Sequence, residues 1–173
     1  MSIFQGTGVA IITPFTTKGS VDFEALGNHV ERLIDNGINY LVILGTTGEA
    51  VTLNPQEQHD VIRFIIERAD GRVPAVIGMG GNNTGEVVAK IKRTDFQGIQ
   101  GILSVAPYYN KPSQEGLYQA AQVLTLLLTP RSDWRPTLQI LWPSKKLLEI
   151  WIKPWNLLPT NHMISIFFRE RTH

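Results

Sequence analysis

Three observations predict an α/β chain built like part of a (β/α)₈ TIM barrel over residues 1–119. Short apolar runs begin at about residues 8, 40, 74 and 101, with helical patterns between them, so the repeat is roughly 30 residues. The runs are apolar without alternation, as in parallel strands covered on both faces. The first run is followed by Pro14-Phe15-Thr16 rather than by the glycine fingerprint that a doubly wound dinucleotide sheet favours.

Each unit carries its own punctuation. Gly8–Thr13 reads as a strand stopped by Pro14, and Asp22 as the cap of a helix in which Leu26, Val30, Leu33 and Ile34 recur at helical spacing. Gly37 ends that helix and Tyr40–Leu44 is the second strand. Asn54-Pro55 opens the second helix, with Val61, Ile62, Ile65 and Ile66 as its apolar face and Asp70-Gly71 as its end. Pro74–Gly78 is the third strand and runs into the loop Gly80-Gly81-Asn82-Asn83. Val87, Val88 and Ile91 mark the third helix, Gly101–Ala106 the fourth strand, and Ser113 the cap of a fourth helix reaching Gln119.

The rhythm stops there. All 15 glycines lie at or before Gly116, whereas Trp134, Trp142, Trp151 and Trp155 all follow it. Residues 1–119 hold 9 Lys and Arg against 12 Asp and Glu; residues 120–173 hold 7 against 3, with five of the ten prolines. A full barrel of this type needs about 250 residues. Residues 1–119 therefore form half a barrel, with two strand edges open to pairing, and residues 120–173 are a non-matching tail.

Composition excludes several classes. With no cysteine there is no disulfide framework and no thiolate metal site. No apolar stretch is long enough to span a bilayer, and Met1–Gln5 has no signal-peptide character, so a cytoplasmic location is expected. A net charge of +1 gives no argument for nucleic acid or an acidic membrane.

In such barrels chemistry sits at the C-terminal strand ends. Those ends carry Thr13-Pro14, Gly45-Thr46-Thr47-Gly48-Glu49, Gly80-Gly81-Asn82 and Pro107-Tyr108-Tyr109-Asn110. The second is the most informative. Two glycines around two threonines let the backbone turn sharply and aim N–H groups at a carboxylate or phosphate, with hydroxyls to relay a proton. The alternative is an ordinary glycine turn whose threonines cap the local backbone. Tyr108 and Tyr109 fit either proton transfer or packing. Lys90 and Lys92 on the third helix and Lys111 in a loop are poor Schiff-base nucleophiles, since none lies within a strand. His29, His59, His162 and His173 show no metal spacing.

Gly45–Glu49, Leu53-Asn54 and the run from Pro107 to Gln119, with Gly8–Pro14 and Gly78–Asn82, resemble the dihydrodipicolinate synthase family of pyruvate-dependent class I aldolases. The related N-acetylneuraminate lyases share the fold, but usually have serine where Thr46 stands and lack the tyrosine–asparagine run. The resemblance implies condensation of pyruvate, held as a lysine Schiff base, with L-aspartate 4-semialdehyde in lysine and diaminopimelate biosynthesis. It implies no cofactor and no metal. It makes Thr47 the pyruvate-carboxylate contact, Thr46 a proton-relay member, and Tyr109 the relay tyrosine that reaches a neighbouring subunit's site in a dimer of dimers. Pro55 and Gln58 stand where lysine-inhibited members often have histidines, which argues against feedback inhibition.

The family's strand-five arginine loop and strand-six Schiff-base lysine have no counterpart after Gln119. Lys145, Lys146 and Lys153 lie in no such setting. Pro130–Arg135 can be encoded so that the neighbouring frame spells Pro-Gly-Arg-Thr-Gly-Val, the family's strand-five loop. A frameshift would therefore account for the foreign tail and would leave the literal chain inactive. The other readings are a non-catalytic half barrel that associates with itself or with a partner fragment, and another pyruvate-lyase family member such as an N-acetylneuraminate lyase.

Overall fold

The computed structural model describes residues 4–105, Ser113, Glu115, Gly116, Gln119, Ala120 and Val123, and the backbone of three later strands, 137–141, 147–150 and 168–170. The chain forms two compact units, residues 1–78 with 96–100 and residues 79–95 with 101–173.

The first unit alternates strand and helix: β1 (Gly8–Ala10), α1 (Phe23–Asp35), β2 (Tyr40–Ile43), α2 (Pro55–Ala69) and β3 (Ala75–Gly78). β1 pairs parallel with β2 at Val9–Leu41, and β2 parallel with β3 at Val42–Val76. β1 is shorter than expected: Ile11 N–H still donates to Val42 O at 3.0 Å, but residues 11–13 leave the ladder on the way to Pro14. Pro14 lacks an N–H and disfavours a regular continuation.

The helix starts follow the sequence. The Asp22 carboxylate accepts from Ala25 N–H at 2.9 Å. Asn54 and Glu57 form a reciprocal capping box, with Pro55 in the first turn. Asp70 ends α2 in the left-handed conformation (φ 46°), and Gly71 follows at 66°.

The core lies between helices and strands. Leu26, Val30, Leu41, Ile43, Val61, Ile65 and Ala75 are buried in it, with Ile62 and Ile66 packed at its edge. β3 is covered on both faces, whereas Tyr40 and Val42 of β2 stay half-buried. Phe23 and Phe64 meet edge to face at 5.1 Å, and Glu31 of α1 bridges Arg68 (2.6 Å) and Arg72 (2.8 Å) beside α2.

The second unit holds α3 (Thr84–Arg93), β4 (Gly101–Val105), β5 (Thr137–Leu141), β6 (Leu147–Ile150) and β7 (Phe168–Glu170). Asn83 caps α3 through bonds from Gly85 and Glu86 N–H, and Val87 and Ile91 are buried. The Gly116 N–H donates to Ser113 Oγ at 3.2 Å, as expected of a helix cap there. Glu115, Gly116, Gln119, Ala120 and Val123 are helical, so a helix follows β4 as expected. β5 continues parallel to β4, but β6 and β7 then add antiparallel, so the parallel order ends after β5 among the described residues.

Candidate functional site

Strand β2 ends in an abrupt reversal. Leu44 is buried and left-handed (φ 54°), residues Thr46–Gly48 form one 3₁₀ turn, and Glu49 is left-handed again (φ 51°). Positive φ is costly for leucine and glutamate, so the surroundings must impose it.

Two glycines allow this, though not in the way expected. The sequence suggests that Gly45 and Gly48 supply the turn's backbone freedom. In the structure neither has positive φ, and Gly45 is extended (φ −69°, ψ 178°). Gly48 is needed for space: a Cβ there would stand 2.9 Å from Ile11 O. Gly78, at the end of β3, is needed likewise, because a Cβ would run into the Leu44 carbonyl. A single hydroxyl completes the support. Thr13 Oγ1, buried beyond β1, donates to Gly48 O at 2.7 Å.

Thr46 and Thr47 themselves are exposed on the turn. Neither hydroxyl has a partner among the described residues, whereas nearby Thr52 Oγ1 donates to Glu49 O at 2.9 Å. Thr52, not Thr46 or Thr47, therefore does the local capping. The Gly48 and Glu49 N–H groups are taken by Gly45 O and Thr46 O. The turn thus offers two free hydroxyls on an unusually constrained backbone.

The other candidates separate. Tyr108, Tyr109 and Lys111 lie outside the described residues, as do Lys145, Lys146, Lys153, His162 and His173. Lys90 is on α3, where burial pushes its ammonium pKa down. His29 is half-buried on α1, its pKa lowered by burial and then by Arg32, whose Nη2 lies 3.3 Å from Nδ1. His59 is exposed on α2 beside Asp60. No metal-holding cluster occurs among the described residues. The Gln58 amide donates to Ala50 O (2.8 Å) and Leu53 O (3.1 Å), so it fastens the loop before α2. The Thr13–Gly48 bond escapes sequence reading because it joins residues 35 apart. Its only sequence signal is Thr13's position at the end of a strand.

A parallel β/α fold with an oxygen-rich turn at a strand end places the chain in the class of TIM-barrel α/β proteins. The particular family follows from comparison. The dihydrodipicolinate synthetase family model matches residues 3–126, and the chain belongs to that family, whose members are lyases. It is 55% identical over 115 residues to the 4-hydroxy-tetrahydrodipicolinate synthase of Parabacteroides distasonis, covering 66% of this chain and 39% of the relative. The enzyme of that name from Aquifex aeolicus is 49% identical over 117 residues, 68% of this chain and 40% of the relative. The crystal structure of dihydrodipicolinate synthase from Aquifex aeolicus superposes with a TM-score of 0.69 at 42% identity, over 82% of this chain and 46% of that one. The Thermotoga maritima structure gives 0.70 at 37% identity, over 79% and 45%. The chain spans about 40% of the length of the curated relatives it matches. The match runs seven residues past Gln119, to residue 126.

Proposed function

We propose that this chain is the N-terminal half of a 4-hydroxy-tetrahydrodipicolinate synthase barrel, acting in lysine and diaminopimelate biosynthesis in the cytoplasm. Its Gly45–Glu49 turn receives the carboxylate of pyruvate. The observation that carries this reading is the pair of unpaired, exposed hydroxyls of Thr46 and Thr47 on a backbone held by Gly48, Gly78 and Thr13. Thr47 binds the carboxylate oxygens, and Thr46 passes a proton with Tyr109. The substrates of the whole barrel are pyruvate and L-aspartate 4-semialdehyde, and its assembly is a dimer of dimers.

The literal chain has no lysine in a Schiff-base setting, so it binds without reacting. Borohydride treatment with labelled pyruvate is expected to leave no label on the polypeptide, while pyruvate shifts the Thr46 and Thr47 amide resonances saturably. A trapped adduct would overturn the inactive reading, and unmoved resonances would overturn the binding one. The tail composition beyond residue 126 supports a change of reading frame. The coding DNA tests this: a neighbouring frame that continues the barrel supports it, and three frames without such a continuation end it.

A second reading, a non-catalytic half barrel that pairs with another copy, is favoured by β1. Among the described residues its only ladder neighbour is β2, and Ile12 and Phe15 beyond it are 47% and 37% exposed. Sedimentation of a discrete dimer supports this reading, and polydisperse aggregates count against it.

A further inference from the structure

We propose that Thr13 is the positioning residue of the substrate turn: its Oγ1 bond to Gly48 O fixes the direction in which Thr46 and Thr47 present their hydroxyls. This rests on the reading of Gly45–Glu49 as the turn that holds the pyruvate carboxylate. Thr13 lies past the end of β1 and is 5% exposed, so its hydroxyl serves the interior. The bond is short, at 2.7 Å, and ties the turn to a different strand connection. The Gly48 and Glu49 N–H groups are spent inside the 3₁₀ turn, leaving the Gly48 carbonyl as the group that records how the turn is oriented.

The Gly48–Glu49 peptide also has little of its own to stop it rotating. Glycine at 48 has no Cβ to resist rotation, and Glu49 on its other side is already left-handed (φ 51°). Ile11 O lies close enough to forbid a side chain at 48, so steric bulk cannot do the fixing. A directional bond is what remains. Without it the Gly48 carbonyl is buried with no donor, and rotating the peptide to find one carries the adjoining threonines with it.

Thr13→Val removes the hydroxyl at nearly constant volume, and Thr13→Ser keeps it. The test uses the full chain labelled with ¹³C and ¹⁵N. In T13V the Gly48 carbonyl carbon resonance is expected to shift upfield and the Thr46 and Thr47 amides to move. Pyruvate, titrated as the sodium salt, is expected to bind about tenfold more weakly, the size of one lost hydrogen bond to a buried acceptor. T13S is expected to restore both. If T13V lacks the wild-type far-ultraviolet spectrum, Thr13→Ala is read in the same way. An unchanged Gly48 carbonyl, or wild-type pyruvate binding in a variant with a shifted carbonyl, overturns the proposal. If pyruvate leaves the wild-type turn unmoved, the carboxylate reading falls instead, and the carbonyl shift still decides whether Thr13 orients the turn.

Discussion

Residues 4–105 and strands β5–β7 build sheet by different rules. In the first region each strand is followed by a helix with its own start signal: Asp22, Asn54-Pro55 and Asn83 each accept from backbone N–H groups of the first turn. A helix between successive strands returns the chain to the same end, so the strands run parallel. In the second region no glycine follows Gly116, and β5 and β6 are separated by only the five residues 142–146. So short a link admits only antiparallel neighbours, which is what β5 and β6 form; β7 adds antiparallel to β6 across a longer link. A barrel site at strand ends needs the first rule, because it places the end of every strand on one face. Antiparallel β6 and β7 break that rule, whereas β5 still runs parallel to β4.

The difference can be probed with the chain's own reporters. Helices α1–α3 all precede residue 94, whereas all four tryptophans follow residue 126. Circular dichroism at helical wavelengths therefore reads chiefly α1–α3 of the first region, with a smaller share from the helical residues between 115 and 123, and tryptophan fluorescence reads the second. The largest effect is expected from Leu41→Ala, which empties a site of zero exposure in the core. It should lower stability in urea by about 2–5 kcal/mol by dichroism. An equal shift of the fluorescence transition would erase the distinction between the regions.

Next is Gly78→Ala. The added methyl meets the Leu44 carbonyl, and backbone cannot step aside as a side chain can. A loss of about 2 kcal/mol is expected, together with moved Thr46 and Thr47 amide resonances. A neutral result would mean that β3 does not hold the turn. Asn54→Ala should cost about 1 kcal/mol, since it removes the acceptor for Gln56 and Glu57 N–H. It should leave those same resonances in place, which separates helix capping from turn support.

These variants also mark what the sequence could disclose. Asn54-Pro55, Asp22 and Ser113 are legible because a cap acts within three residues of itself. The site was legible only in part. Thr46 and Thr47 stand out as a pair between glycines, but the reason for those glycines does not. Gly48 and Gly78 are glycines because Ile11 O and Leu44 O crowd them, contacts that exist only once the strands are aligned. The left-handed Leu44 and Glu49 carry no local signal, since neither residue type favours that backbone. β5–β7 were largely illegible for the converse reason: no strand-and-turn pattern precedes them, and the apolar run Ile164–Phe168 only touches the first residue of β7.

The smallest effect concerns the surface that joins α1 to α2. Arg72 holds the Glu31 carboxyl below its ordinary pKa, chiefly by a hydrogen bond and then by charge, with Arg68 adding to it and desolvation opposing. A depressed carboxylate contributes stability above its unfolded value and loses it as pH falls through the lower, folded one. Thermal midpoints of the native chain should therefore drop below about pH 4.5, and Glu31→Gln should flatten that part of the profile. His29 adds a separate step. Its lowered pKa means that the unfolded chain takes up a proton first, so stability falls as pH drops below about 6.5 and levels off under the folded value. Both charges are partly solvated, so 1 M salt should suppress most of the Glu31 step while leaving the His29 step, whose larger cause is burial. If salt removes the two steps equally, burial is not what sets His29.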